Sequence, residues 1–306
     1  HHPPLYYTLS ALLSGWIPTP HDGTYRHPGN PFWGHRDWAV GVDNKLQYRH
    51  GPAEQIPFSN GYLAATAPRW VNVLIGAGAV AVTYALAQRI LGGSSKLALA
   101  AAAIVALNPQ FIYLSGAMNN DISAALMSAA VVLGCVTVVQ RGATGRRAVV
   151  LGALYGLALL TKLHLAVLGA VIAVSLAIEA WSAVRDDGTR GSRRIVSVGA
   201  RWLRSMAVVG VVAGVAAGWW FARNVRLYGD ITGMSRLNAM WAGREAQGNF
   251  WAVRQGLPFL WASFWGRFGY GQIPLPTPIY RGLAVFCGVA LVGLVTLAAP
   301  AWACGG

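Results

Sequence analysis

Long apolar runs separated by short polar turns dominate the chain. A membrane-spanning helix needs about 20 mostly apolar residues. The runs Val71–Leu91, Leu97–Ala117, Ile122–Val139, Val149–Leu160, Leu163–Trp181, Leu203–Phe221 and Ile279–Trp302 reach or approach that length. They predict about seven transmembrane helices, the fourth of them short. Leu5–Ile17 is apolar but too brief to span alone, so it is expected in the interface or as part of a tilted helix. The pattern predicts an all-α fold, a polytopic membrane helix bundle with outer-face amphipathic and loop segments. Four regions follow from it: residues 1–69, an extracytoplasmic segment with an interfacial helix; 70–222, a six-helix transmembrane core; 223–278, an aromatic-rich extracytoplasmic loop; and 279–306, a final transmembrane helix. No internal repeat, heptad pattern, GxGxxG or P-loop interrupts this organisation.

Composition sharpens the class. The chain is 55% hydrophobic and 11% charged, whereas soluble domains carry about 25% charged residues. That excludes an ordinary soluble enzyme, and it excludes disorder, which needs low hydrophobicity and high charge. A net charge of +14 would suggest nucleic acid in a soluble protein. Here the loops of a membrane protein account for it, because cytoplasmic loops collect Lys and Arg. No nucleic-acid partner is therefore expected.

The distribution of charge orients the bundle. Arg89 and Lys96, then Arg141, Arg146 and Arg147, then Arg185, Arg190, Arg193, Arg194, Arg201 and Arg204 mark alternate turns, while the short turns between them hold Lys162 as their single basic residue. The positive-inside rule places the arginine-rich turns in the cytoplasm. The other face then carries Asn119-Asn120-Asp121, Lys162-Leu163-His164, Arg223–Asp230 and the long segments 1–69 and 222–278. In the second of these, Trp241, Trp251, Trp261, Trp265, Phe250, Phe259, Phe264 and Phe268 predict short helices at the membrane surface. The three cysteines, Cys135, Cys287 and Cys304, fit no metal or disulfide spacing, and Cys135 and Cys287 read as small buried hydrophobes.

Ionisable groups near the membrane are the candidate chemistry, because charge at that depth is expensive. Asp121 is the only acid between Glu54 and Glu179. It reads either as a helix N-cap or as a carboxylate that serves as a base or holds a metal. Lys162 opposes the charge trend of its face, and reads either as a snorkelling lysine or as part of an anion site with His164 beside it. Arg223 and Arg226, three residues apart, fall on one helical face and suit either headgroup anchoring or a phosphate. Tyr228-Gly229-Asp230 reads as a turn that stops the helix, with Asp230 structural. His1-His2-Pro3-Pro4-Leu5-Tyr6-Tyr7 offers two imidazoles that could meet a metal or a phosphate, ahead of prolines that fix the start of the apolar segment.

That last string resembles a motif following the first outer loop of GT-C glycosyltransferases, such as protein O-mannosyltransferase-like enzymes and the lipid A aminoarabinose transferase. Asn108-Pro109-Gln110-Phe111 through Asn119-Asn120-Asp121 is similar to their third helix and second outer loop. Gly156-Leu157-Ala158-Leu159-Leu160-Thr161-Lys162 resembles a recurring segment, and Trp219 to Asp230 resembles their helix exit. A poorly characterised branch of the superfamily also has stretches similar to Asp43-Asn44 through His50 and Glu54, and to Ser263-Phe264-Trp265-Gly266-Arg267-Phe268-Gly269 followed by Pro274-Leu275-Pro276. The resemblance covers nearly the whole chain.

The resemblance implies a polyprenyl-phosphate-linked sugar donor, a lipid, glycan or protein acceptor, contact with membrane lipids, and transfer on the extracytoplasmic face of the plasma (inner) membrane; the dominance of Ala, Gly, Val and Arg suits a bacterium. It matches Asp121 to a catalytic outer-loop acid, and implies that His2, Lys162, Arg223 and Arg226 hold the donor phosphate, with His1, Asn120 and His164 in support. It leaves room for a divalent metal ion. A first catalytic acid would precede His1, so the chain reads as a fragment of a longer protein, inactive by itself. Two other readings stand beside this one: a transporter or flippase for lipid-linked sugars, which also needs membrane-depth charge, and a non-catalytic scaffold of the same ancestry.

Overall fold

A computed structural model describes residues 2–19, 29–31, 48–58, 60–186, 191–235, 239, 249–269, 271 and 273–303. Among them the helices are α1 (Leu5–Ser14), α2 (Asn60–Ile90), α3 (Ser95–Ala106), α4 (Pro109–Ser115), α5 (Asp121–Arg141), α6 (Gly145–Thr161), α7 (Leu168–Asp186), α8 (Ser192–Tyr228), α9 (Asn249–Trp265) and α10 (Thr277–Ala303). One small antiparallel hairpin, Arg267–Phe268 with Ile273–Pro274, is the only sheet among the described residues. The all-α polytopic architecture expected from the apolar runs is the one found.

Among the described residues, five helical segments are long and apolar enough to cross a membrane: Asn60–Ile90, Asp121–Arg141, Leu163–Arg185, Ser192–Tyr228 and Thr277–Thr296. Two of the seven expected spans come out differently. Leu97–Ala117 is a bent pair, α3 and α4, that turns by 65° at a break. Pro109 lacks an amide hydrogen and disfavours helical backbone at Asn108 before it. Counted as one broken span, the pair raises the total to six. The fourth run becomes α6, which at 17 residues is about 26 Å long, short of the roughly 30 Å of hydrocarbon. Its start is set by Thr144, whose side chain caps Arg147 N, and its end by the extended backbone of Lys162.

The chain divides into two compact units: His1–Arg26, Gly51–Leu107 and Phe111–Arg244, and, second, His27–His50, Asn108–Gln110 and Glu245–Gly306. In the first, Val131, Cys135, Val138, Leu151, Ile172 and Leu176 form a buried core from α5, α6 and α7. Cys135 is buried there as expected, and Cys287 is half-buried on α10. α6 meets α8 through small residues. A methyl group added at Gly156 would stand 2.6 Å from Ala216 Cβ, and one at Gly152 would stand 2.8 Å from the Val209 carbonyl oxygen. With few hydrophobic forces between helices in lipid, such close backbone approach supplies the packing energy.

The arginine-rich end of this unit is tied by one buried acid. Glu179 is 3% exposed. It accepts from Ala143 N at 2.8 Å and from Arg201 Nε at 3.1 and 3.2 Å, joining the α5–α6 turn to α7 and α8. In the second unit, Tyr280 locks the hairpin to α10, donating to Gly266 O at 2.7 Å and accepting from Leu275 N at 2.8 Å. Helix α9 exposes Phe250, Trp251, Leu260 and Phe264, an apolar surface of the kind the aromatic-rich segment predicted. Trp241 lies outside the described residues, as do Asp43 and Asn44.

Candidate functional site

The polar turn Asn119-Asn120-Asp121 joins α4 to α5 and divides three tasks among three side chains. Asn119 Oδ1 accepts the Asp121 amide at 2.8 Å, so Asn119 supplies the local cap. Asn120, 5% exposed, reaches across to α6 and donates to Thr161 O at 3.1 Å. Asp121, the first residue of α5, is left to form an ion pair with Lys162. The two cross-links run in register: Asn120 meets Thr161, and the next residue in each strand of chain forms the ion pair. Asp121 is thus an ion-paired carboxylate and not merely a helix cap.

Lys162 owes its position to the break after α6. Its extended backbone ends that helix, and a 3-10 turn, Leu163–Val167, follows before α7. The side chains of Lys162 and Asp121 are 23% and 44% exposed, so the pair is open on one side to an incoming ligand. His164 lies on the 3-10 turn, exposed, within electrostatic range of both Lys162 and Asp121.

Two elements brace this corner. On α2, the fully buried Asn72 donates to Ala117 O and, at 2.9 Å, to Asn119 O, gripping the turn that carries Asp121. On α1, the buried Tyr6 places its hydroxyl among Ser10, Asn72 and the Asn119 backbone, and burial pushes its phenol up from the ordinary tyrosine range. Tyr7 is raised too, by burial first and then by Tyr6 and the negative charge of Asp121. The His2 and Tyr7 rings lie tilted to each other with centroids 6.0 Å apart, which brings the N-terminal aromatic string to the same corner. His1 lies outside the described residues.

Arg223 and Arg226 take a different place. Helix α8 runs on through both of them to Tyr228, beyond the expected end at Phe221. Gly229 in the left-handed conformation (φ 68°) then stops it, as the Tyr-Gly-Asp turn predicted. The two arginines share one face and line a recess of about 480 Å³ with Trp219, Ala222 and Leu227. Arg223 stacks over Trp220 at 4.8 Å, and neither arginine bonds to Asp121 or Lys162. Asp230 is structural: it accepts from Thr232 and Ser235, which hold its carboxyl at about 2, below the usual carboxylate range.

Sequence reasoning missed Asn72 and Tyr6. The available signal was a carboxamide at the second position of an apolar run, Val71–Leu91, where an unpaired amide would be costly. Nothing in one sequence says that the partner lies in the turn 117–119. Among the described residues no three His, Cys, Asp or Glu side chains come together, and the nearest partner of Asp121 is a cation. Among the described residues, then, these side chains are not gathered into a divalent-ion site.

The arrangement is that of a polytopic membrane protein presenting a carboxylate and an ammonium group at a helix junction. Residues 63–188 match the family model described as dolichyl-phosphate-mannose-protein mannosyltransferase. The matched stretch holds Asn72, Asn120, Asp121, Lys162 and His164, and supports a membrane glycosyltransferase of the mannosyltransferase type. No curated protein and no solved structure matches the chain.

Proposed function

We propose that the full-length protein transfers a sugar from a polyprenyl-phosphate-linked donor to an acceptor on the extracytoplasmic membrane face, with Asp121 as base and Lys162 as the phosphate-binding cation. The observation that carries this reading is the Asp121–Lys162 ion pair inside the stretch that matches the mannosyltransferase model. The chemistry follows from the two groups. An acceptor hydroxyl or amine attacks the anomeric carbon, and the bond from that carbon to the phosphate oxygen breaks. The acceptor proton passes to the Asp121 carboxylate. Negative charge gathers on the departing polyprenyl phosphate, where a fixed cation in a partly dry site is most effective.

The ion pair links the two roles. Without donor, Lys162 neutralises Asp121 at membrane depth. A donor phosphate competes for the ammonium group, and as Lys162 turns toward it the carboxylate is released to accept a proton. His2 and His164, at the same corner, extend the phosphate site. Arg223 and Arg226, on their own recess of α8, hold a more distal part of the donor phosphate or headgroup region. The test supplies labelled polyprenyl-phosphate mannose to membranes containing the full-length protein and follows label into lipid, glycan and protein fractions. Transfer into one fraction that disappears in Asp121→Asn, at unchanged expression, is the expected result. No transfer by the wild type with any acceptor fraction, or equal transfer by the variant, would refute the assignment.

A further inference from the structure

At the end of the bundle opposite the acid–lysine pair, α2, α5 and α6 leave a crevice of about 480 Å³ between them. Val82 on α2, Leu133 and Val138 on α5, and Val150 and Leu154 on α6 form its walls. Arg89, Arg146 and Arg147 close one end, and no carboxylate lines it. Arg147 is held at the mouth, donating to Gly142 O at 2.8 Å and to Arg141 O. Neither Arg89 nor Arg146 pairs with a carboxylate among the described residues. Val82 and Leu154 each lie two helical turns from the arginine of their own helix, which gives about 10 Å of apolar wall below the charges.

A bilayer leaves no water to fill an apolar crevice between spans, so its occupant is an acyl chain or protein. The cations select between lipids. A guanidinium group pairs with phosphate through a planar fork, and basic pockets between transmembrane helices favour anionic headgroups. We propose that this crevice binds a diacyl phospholipid with an anionic headgroup from the leaflet on the side of the arginine-rich turns. The headgroup phosphate sits on Arg89 and Arg146 while the chains run along Val82, Val150 and Leu154. The site lies at the other end of α5 and α6 from Asp121 and Lys162, and its occupancy is independent of the transfer reaction.

The experiment uses full-length protein stripped of lipid in neutral detergent, with native mass spectrometry as the readout and phosphatidylglycerol and phosphatidylcholine as probes. The wild type is expected to prefer phosphatidylglycerol by about thirtyfold, given roughly 1 kcal/mol for each of the two arginines. Arg89→Gln with Arg146→Gln should abolish that preference, and Ala130→Phe, which fills the crevice, should weaken both lipids. Arg193→Gln, outside the crevice lining, should change nothing. Arg146 is exposed, so Arg146→Gln alone is a safe variant and should lower the preference about fivefold. Equal binding of the two lipids by the wild type, or a preference that Arg146→Gln leaves undiminished, overturns the proposal. So does inorganic phosphate displacing the lipid as well as glycerophosphate-bearing lipid does, which would make the site an anion site without a lipid wall.

Discussion

Three adjacent polar residues, similar in size and propensity, end in three different roles at one turn. Asn119 caps, Asn120 cross-links two helices, and Asp121 pairs with Lys162. Their order matters, because the cross-link from Asn120 to Thr161 is what sets Asp121 opposite the following lysine. Asn120→Ala should cost about 1–3 kcal/mol of stability, the usual penalty for stranding a buried partner, and should reduce transfer more than that loss explains. Denaturation of the purified variant beside its kcat separates the two effects. Asp230 gives a prediction in pH. Its carboxyl is held at about 2 in the folded chain against 3.8 for the free group. A depressed acid lends order to its turn above pH 3.8 and loses it as pH falls through about 2. Carboxyl NMR should show Asp230 titrating near 2, and Thr232→Val should move that titration upward by removing the hydroxyl contact.

At the scale of elements, the contact between α6 and α8 rests on what glycine lacks. Gly152 and Gly156 lie one turn apart, against Val209, Ala213 and Ala216 of α8. Gly156→Val would press into Ala216 and Ala213, and overpacking of this kind costs about 1–3 kcal/mol. The expected outcome is a lower unfolding temperature and a shift at Lys162, which ends the same helix, with loss of transfer in step. Much of the element plan was legible from hydrophobicity alone, since each expected apolar run is helical. The bend between α3 and α4 was less so. Asn108-Pro109 announces a break in the chain, but its 65° angle is set by packing. The continuation of α8 through Arg223 and Arg226 was hidden by their charge, which ends an apolar run without ending a helix.

The first of the two units joins two chemically different ends through the same helices. α5 begins at Asp121 and finishes at Arg141, and α6 begins beside Arg146 and finishes beside Lys162. A lone lysine among arginine-rich turns was visible in the sequence, and so was the isolated acid. Their pairing was not, because residues 121 and 162 are brought together only by the antiparallel packing of two helices. The bracing by Asn72 and Tyr6 was hidden for the same reason. The positive-inside rule predicts that cysteines placed at Thr144 and at His164 react with membrane-impermeant reagents from opposite sides. Labelling of both from one side would break the topology on which the outer-face reading depends.

In the proposed reaction Asp121 takes the acceptor proton while Lys162 receives the leaving phosphate. Its most direct test is the release of polyprenyl phosphate by full-length wild type, Asp121→Asn and Lys162→Met, with kcat and KM resolved. This assignment of roles predicts a fall in kcat of at least about a hundredfold for Asp121→Asn, the scale of a lost general base, with KM for donor little changed. It predicts that Lys162→Met raises KM and lowers kcat together, because its contact with phosphate forms in the bound donor and strengthens as charge develops. Wild-type kcat in Asp121→Asn would contradict it.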